Sequence, residues 1–150
     1  MCIRDSNYVG VMAIEFFYGD TGLLINEIAP RTHNSAHFSI EACSSSQFDQ
    51  YICISSGIKP PEINMYAQGS LMINLLGLKK KFPLSIEKRI ELLSKIKGSN
   101  LHWYGKSKES VGRKMAHITF LLDEKNHLKR VEKSNEILTK VREIWPSPND

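Results

Sequence analysis

The fold is decided by residues 9–28, which read VGVMAIEFFYGDTGLLINEI. Residues 9–17 are rich in β-branched and aromatic side chains and predict a strand, and residues 23–28 predict a second one. Residues 18–22 between them have the composition of a turn. We therefore expect a hairpin with a loop of about five residues. Because apolar residues occupy both faces of each strand, we also expect a sheet that is covered on both sides.

Each predicted strand contains a glutamate. If the chain turns at Asp20 or Thr21, Glu15 lies opposite either Asn26 or Glu27, and the sequence leaves both registers open. In the second register two like charges meet inside an apolar sheet, where a proton, a basic side chain or a metal ion must compensate them. Oxygen ligands favour Mg²⁺, which commonly uses one or two carboxylates with phosphate oxygens. The alternative is a pair of exposed glutamates on a solvated face.

Two polar loops carry side chains that suit anions. Directly after the second strand, Arg31 offers a planar fork for phosphate or carboxylate, and His33 offers an imidazole that could shuttle a proton. Further along the chain, Lys106 and Arg113 flank a loop whose two glycines allow the backbone to approach a phosphate closely. From these residues alone, a capped polar turn and a solvated basic hairpin tip remain the alternatives.

Glycine and proline divide the chain. Gly57 ends a predicted helix over residues 47–55, and Pro60-Pro61 begins an extended connection. The start of the chain has neither periodicity nor a cap, so we interpret it as a truncation scar or a foreign sequence. The division comprises this unassigned start, the end of one domain and a C-terminal subdomain, at residues 1–7, 8–58 and 59–150.

The C-terminal part alternates strand and helix patterns. Strand patterns alternate apolar and polar residues, and the last helix is long, charged and amphipathic. The fold class is therefore predicted as α+β, with a small β-rich subdomain that ends in a helix. The predicted strands span residues 70–76, 101–104 and 114–122, and the predicted helices span residues 85–97 and 125–145.

Composition and cysteine spacing indicate an ordinary globular protein without a disulfide framework or a zinc site. Of the 150 residues, 41% are hydrophobic and 24% are charged, as in ordinary globular proteins. The net charge of +4 suits a protein that handles phosphates and equally a lysine-rich surface. The three cysteines, Cys2, Cys43 and Cys53, have no C-x-x-C spacing, so a disulfide framework or zinc site is not expected. We expect Cys43 and Cys53 to be buried, and the setting to be the reducing cytoplasm.

Six segments carry a resemblance to a known family: GVMAIE at 10–15, LINEIAPRTHNS at 24–35, SQFD at 46–49, MINLLG at 72–77, HWYGK at 102–106 and GRKMAH at 112–117. Together they resemble the 5-(carboxyamino)imidazole ribonucleotide synthase family of ATP-grasp enzymes. The N-E-x-A-P-R-x-H-N-S stretch is specific, because other ATP-grasp ligases usually have an asparagine where Ala29 stands. The resemblance covers residues 9–122, makes residues 8–58 the end of an ATP-grasp domain, and weakens in the last helix.

The resemblance implies a reaction of purine synthesis. ATP activates bicarbonate as carboxyphosphate, and the exocyclic amine of 5-aminoimidazole ribonucleotide attacks it or the CO₂ that it releases. The implied cofactors are ATP and Mg²⁺, with Mn²⁺ as the alternative ion. The implied partners are these small molecules, without nucleic acid or membrane, and the parent enzyme is expected to be a homodimer. The family's N-terminal domain and central ATP-grasp strands have no counterpart here, so we expect the chain to be inactive alone.

The resemblance also assigns roles around the nucleotide. Glu15 and Glu27 are expected to hold Mg²⁺ on the ATP phosphates, and Glu27 also counts as a cofactor-binding residue. Asn26 is expected beside the nucleotide. Arg31 and His33 are expected to face the carboxyphosphate and the substrate amine as catalytic residues, because cationic side chains neutralise a transferring phosphoryl group.

A further set of residues is implied for the ribonucleotide. Asn34, Lys106 and Arg113 are expected to bind the substrate, the last two through its 5′-phosphate, and Lys106 is also a catalytic candidate. The family usually shows Arg-Pro where Ser110 and Val111 stand, so the shape of this loop is open. Two other functions are the alternatives: an ATP-grasp ligase with a different acceptor, and a noncatalytic nucleic-acid-binding module, which would bind in a salt-sensitive manner.

Overall fold

The computed structural model describes residues 7–79, 82–106 and 108–148. The chain forms two compact units, of which the first ends at Tyr66 and the second begins at Ala67. Most of the unassigned start, residues 1–6 with Cys2, lies outside the described residues. Within the described part, no helix combines the length and the apolar composition needed to cross a bilayer.

The connection after the two prolines bonds to the first unit. Met65 forms an isolated β-bridge with Cys43, and the Tyr66 N–H donates to the Ala42 carbonyl at 2.8 Å. The sequence-based division assigns this connection, residues 59–66, to the C-terminal subdomain. Its backbone bonds place it with the N-terminal unit instead.

The first unit begins with the predicted hairpin. Strand β1 (Ala13–Gly19) pairs antiparallel with strand β2 (Gly22–Ala29). The turn is shorter than expected, because the ladder leaves only Asp20 and Thr21 between the strands. Gly22 has a φ of +91°, a conformation that glycine adopts without strain, so the backbone can reverse directly. The first strand also begins at Ala13 rather than at residue 9.

A β-bulge in the hairpin sets the register of the two glutamates. Phe16 pairs with Ile25, whereas the preceding residue Glu15 pairs with Glu27. Asn26 is therefore an extra residue in β2. Without the bulge, Glu15 would face Asn26, and Glu27 would point to the other side of the sheet. The structure thus selects the second of the two registers that the sequence leaves open.

The expectation that both faces of this sheet are covered is wrong for this chain. Phe16 and Ile25, a pair on one face, are 49% and 62% exposed. Phe17 and Leu24, a pair on the other face, are 61% and 58% exposed. The physical reason is that, within the described residues, β1 and β2 pair only with each other.

Short helical segments complete the first unit. A 3-10 turn spans Asn34–Ala36, helix α1 spans Ser39–Ala42 and helix α2 spans Gln47–Ser55, the last with its predicted bounds. Ser46 caps α2 by accepting the Asp49 N–H at 3.2 Å. The Ser46 hydroxyl and N–H in turn donate to the Asp49 carboxylate, and these bonds hold the pKa of Asp49 below its ordinary value. The cap fixes where α2 begins.

The second unit is a small sheet with two helices. Its elements are β3 (Gly69–Leu76), α3 (Ile86–Ser94), β4 (Asn100–Trp103), β5 (Lys114–Leu122) and α4 (His127–Ile144). Strand β5 lies between β3 and β4 and runs antiparallel to both. Each predicted element is present, which confirms the α+β class, although α3 ends before the predicted residue 97.

The core of the second unit joins this sheet to both helices. Leu75 from β3, Leu93 from α3 and Val141 from α4 are fully buried in one cluster. Trp145, directly after α4, is also fully buried, and its indole N–H donates to the Leu76 carbonyl at 2.7 Å. Val141 near the end of α4 and Trp145 directly after it therefore anchor the end of this helix in the core.

The two cysteines that the structure describes, Cys43 and Cys53, differ in burial. Cys43 is buried as expected, and its burial raises its pKa above the ordinary value. Cys53 on α2 is only half-buried, so the expectation that it is buried is wrong in degree.

Gly77 follows β3 directly and packs against the backbone of the loop that precedes β5. Its N–H donates to the Arg113 carbonyl at 2.8 Å, and its carbonyl accepts the Gly112 N–H at 3.0 Å. A Cβ atom at Gly77 would lie 2.0 Å from the Ser110 carbonyl oxygen. Backbone therefore approaches backbone here at a distance that only glycine permits.

We expect Gly77→Ala to destabilise the second unit by about 2 kcal/mol, because the added methyl group displaces backbone. Gly69→Ala at the other end of β3 is the matched control, since its Cβ would come closest to the flexible Arg130 side chain, at 3.3 Å, and would lie at an ordinary contact distance from Leu122. Urea unfolding followed by tryptophan fluorescence measures the difference, because Trp103 and Trp145 both lie in this unit. Equal midpoints for the two variants would contradict the close approach.

Candidate functional site

Two carboxylates and one imidazole meet in the first unit. His33 Nε2 lies 2.8 Å from Glu27 Oε1, and His33 Nδ1 lies 3.3 Å from Glu15 Oε1. One ligand atom from each residue lies within 4.8 Å of the others, a donor set that could hold a metal ion. We call Glu15, Glu27 and His33 the carboxylate cluster. The bulge creates it, because it turns both glutamates to the same side of the hairpin.

The cluster is open to solvent rather than buried as expected. The side chains of Glu15 and Glu27 are 36% and 48% exposed, whereas that of His33 is 11% exposed. Since water still screens both carboxylates, their mutual repulsion is modest, and no buried charge has to be compensated. The expected apolar burial of the pair is therefore wrong for this chain. The exposure also leaves carboxylate oxygens accessible to a ligand.

Hydrogen bonds orient the ring of His33. Its Nδ1 accepts the Ser35 N–H at 3.4 Å and lies 2.8 Å from the Ser35 hydroxyl. A neutral ring with this acceptor carries its proton on Nε2, which then donates to Glu27. A protonated ring would donate from both nitrogens and balance one carboxylate charge. In either form of the ring, His33 contacts both carboxylates.

Gln47 holds the backbone of His33. Its Oε1 accepts the His33 N–H at 2.7 Å, and its Nε2 donates to the His33 carbonyl at 2.8 Å. The same Nε2 lies 2.7 Å from His37 Nδ1, and Gln47 is only 7% exposed. The sequence marks Gln47 only as the start of α2, because a polar residue after a serine cap looks like any solvent-facing first turn. Its role depends on a contact between distant parts of the chain.

The other predicted residues of this region lie beside the cluster. Asn26, at the bulge, donates from Nδ2 to Glu15 Oε2 at 3.3 Å. Arg31 is exposed, and its guanidinium donates to the Thr32 carbonyl at 2.9 Å. Asn34 begins the 3-10 turn that follows His33. The structure therefore joins Asn26 directly to the carboxylate cluster and leaves Arg31 and Asn34 in the adjoining loop.

In the second unit, the two predicted cations lie in one loop. We call residues 105–113, of which all but residue 107 are described, the basic loop. Lys106 Nζ donates across it to the Lys114 carbonyl, and Arg113 Nη1 donates to the Lys108 carbonyl at 3.4 Å. Each cation thus reaches over to the opposite arm of the loop. Glycines with φ of +66° and +72° bend its two ends.

A tyrosine and a histidine support one arm of the basic loop. The Lys106 ammonium lies 5.4 Å from the centroid of the Tyr104 ring, a cation–π distance. The Tyr104 hydroxyl lies 2.7 Å from His117 Nδ1, and partial burial raises the pKa of Tyr104. His102 stacks on His117 with ring centroids 4.5 Å apart. These contacts fix the stem from which Lys106 projects.

Two known protein-family domains match parts of the sequence. The ATP-grasp domain matches residues 2–48, and the phosphoribosylaminoimidazole carboxylase C-terminal domain matches residues 70–131. The first range contains the carboxylate cluster, and the second contains the basic loop. The N5-carboxyaminoimidazole ribonucleotide synthase of Synechococcus elongatus is 39% identical over 98% of this chain and 37% of its own length.

This chain matches the N5-carboxyaminoimidazole ribonucleotide synthase family over the part of those proteins that it spans. The solved synthetase of Thermus thermophilus superposes with a TM-score of 0.74 and 36% identity, over 95% of this chain and 35% of that one. The synthase of Aspergillus clavatus, solved with ADP and 5-aminoimidazole ribonucleotide, gives a TM-score of 0.72 and 28% identity, over 88% and 35% of the two chains. The chain thus spans little more than a third of these family members.

We expect Gln47→Ala to release the backbone of His33, because it removes two hydrogen bonds that are each worth about 1 kcal/mol. Hydrogen exchange of the His33 amide should become at least about tenfold faster. Gln50→Ala is the matched control, since Gln50 lies on the same helix, is similarly buried and bonds instead to Ser45 and Pro61. If both variants change His33 exchange alike, Gln47 has no particular role in holding it.

Proposed function

We propose that this chain is part of an enzyme that joins bicarbonate to the exocyclic amine of 5-aminoimidazole ribonucleotide and cleaves ATP to ADP and phosphate. The observation that carries the proposal is the meeting of Glu15 and Glu27 across the bulge, with His33 in contact with both. The family relationship supports the reaction, since the Synechococcus relative is named for its product. Two parts of the proposal, the use of bicarbonate and a homodimeric parent enzyme, rest on the sequence resemblance alone.

The carboxylate cluster fits a hard divalent cation. Mg²⁺ commonly takes one or two carboxylates and completes its shell with phosphate oxygens and water. Glu15 and Glu27 supply such carboxylates and are accessible, so we propose that they hold Mg²⁺, or Mn²⁺, which takes the same oxygen ligands. The ion, when bound, would neutralise charge on the ATP phosphates. Asn26, held against Glu15, would lie beside the nucleotide.

His33 is the residue proposed to handle a proton. Its ring is already oriented, with Nε2 against Glu27 and Nδ1 against Ser35. The free nitrogen of a neutral imidazole is a base, so His33 is suited to accept a proton from the substrate amine as the new bond forms. Arg31, exposed in the adjoining loop, offers a planar cation for carboxyphosphate, and Asn34 offers an amide to the substrate.

The basic loop is proposed to bind the 5′-phosphate of the ribonucleotide. Lys106 and Arg113 direct their N–H groups at carbonyl oxygens of the loop and of the strand that follows it. A phosphate oxygen is a stronger acceptor than a carbonyl, because it is charged. The glycines at both ends allow backbone N–H groups to come close to such an anion. Lys106 would also carry the catalytic role that the resemblance assigns to it.

A chimera tests the role of the carboxylate cluster. We expect this chain, in place of the corresponding segment of the Synechococcus elongatus relative, to support ATP cleavage that depends on 5-aminoimidazole ribonucleotide. Glu27→Gln in the chimera should lower kcat at least about 100-fold without changing its circular dichroism. The reason is that the variant loses the negative charge of one metal-binding carboxylate. Glu62→Gln, an exposed glutamate of the same unit, is the control. Near-normal turnover of Glu27→Gln would rule out the metal role.

The same chimera tests the basic loop. Lys106→Ala should lower kcat/KM for 5-aminoimidazole ribonucleotide at least about tenfold, since a charge-assisted hydrogen bond is lost. The KM for ATP should stay unchanged. Lys129→Ala removes an exposed lysine of α4 in the same unit and controls for overall charge. An equal loss in both variants, or a loss confined to ATP, would count against phosphate binding by the loop.

A further inference from the structure

A single acidic residue lies inside the basic loop. Among residues 105–113, Glu109 is the one carboxylate, beside Lys106, Lys108 and Arg113. A free carboxylate there would repel a phosphate and would cancel part of the attraction of the cations. A loop that binds an anion therefore needs a counter-charge for Glu109.

Arg89 supplies that counter-charge through a two-pronged contact. Its Nη2 donates to Glu109 Oε2 at 2.9 Å, and its Nη1 donates to Glu109 Oε1 at 3.3 Å. Glu109 Oε1 also accepts the Leu78 N–H at 3.0 Å. The Glu109 carboxylate is thus hydrogen-bonded both to Arg89 on α3 and to the backbone of Leu78, just after β3. Its side chain is 22% exposed, whereas that of Arg89 is 3% exposed.

The surroundings of Arg89 hold its guanidinium in place. The guanidinium carbon lies 4.0 Å from the centroid of the Trp145 ring, which is itself fully buried and bonded to Leu76. A buried cation loses its hydration, and its Nε finds no hydrogen-bond partner among the described residues. An apolar residue of similar volume commonly stabilises such a position as well or better. The arrangement is therefore one that stability alone does not require.

We propose that Arg89 and Glu109 are positioning residues for the phosphate of the substrate. Arg89 cancels the charge of Glu109, so that Lys106 and Arg113 present an uncompensated positive loop. The pair also pins the middle of that loop to the sheet. The inference rests on the proposed function of the basic loop as a phosphate site, and it adds residues that do not themselves touch the phosphate.

The test uses the full 150-residue chain with ribose 5-phosphate as the probe and ribose as the uncharged comparison. Binding is followed through the amide resonances of Gly105 and Gly112. Arg89→Met should weaken the binding of ribose 5-phosphate at least about tenfold, because the negative charge of Glu109 is then no longer cancelled. The double variant Arg89→Met/Glu109→Gln should return to within about threefold of the unmodified chain, because both charges are then absent.

This rescue separates charge cancellation from packing. If Arg89 acts only by packing on Trp145, the double variant will bind as weakly as Arg89→Met, and the proposal is overturned. Unchanged binding by Arg89→Met overturns it as well. If Arg89→Met does not fold, as judged by tryptophan fluorescence, Arg89→Gln keeps the test decisive, because it also removes the charge but keeps a hydrogen-bonding group for Glu109. A tenfold loss that Glu109→Gln reverses supports the proposal, whereas unchanged binding, or a loss that Glu109→Gln does not reverse, contradicts it.

Arg113→Met distinguishes failure of this inference from failure of the proposed function. A chain that does not bind ribose 5-phosphate, or that binds it equally well after Arg113→Met, has no phosphate site in the basic loop. Both proposals then fail. Loss of binding in Arg113→Met, together with unchanged binding in Arg89→Met, keeps the phosphate site and removes only the role of Arg89 and Glu109.

Discussion

The site in the first unit depends on the register of one hairpin. Side chains alternate between the faces of a strand, so a slip by one residue moves a group to the opposite side. The bulge at Asn26 shifts the ladder between Phe16 and Glu15, and Glu27 therefore shares a side with Glu15. His33 can then contact both carboxylates. Without this shift, the same residues would be present in the sequence but not in one place.

The elements that the sequence predicts well are those with local signals. Helix α2 has its predicted bounds because a serine cap and helical spacing lie within a few residues of each other. The strands and helices of the second unit follow their apolar periodicity in the same way. The bulge has no comparable signal, since Asn26 suits a regular strand position and a bulge alike. Sequence patterns therefore reduce the register to two choices, and only the ladder of hydrogen bonds decides between them.

Contacts between distant residues account for the remaining differences. Gln47 reaches His33, and Arg89 reaches Glu109, across stretches of chain that carry no pattern linking them. The cations of the basic loop could be predicted from the sequence, because charged residues and glycines lie close together there. Their counterpart Arg89 lies on helix α3, far from the loop in the sequence. The apolar hairpin shows a further limit. An apolar strand prefers burial, but its pattern does not say which partner provides the cover, and in this chain Phe17 and Leu24 stay exposed.

The uncovered hairpin has a practical consequence for work with the isolated chain. Two strands that pair only with each other within the described residues, with apolar side chains on both faces, are a template for self-association. Pairing of strand edges would join the backbones of two copies, and face-to-face packing would bury apolar side chains such as Phe17 and Leu24. Dilute samples, mild detergent or a light-scattering check are therefore needed before any weak ligand affinity is taken as a property of the monomer.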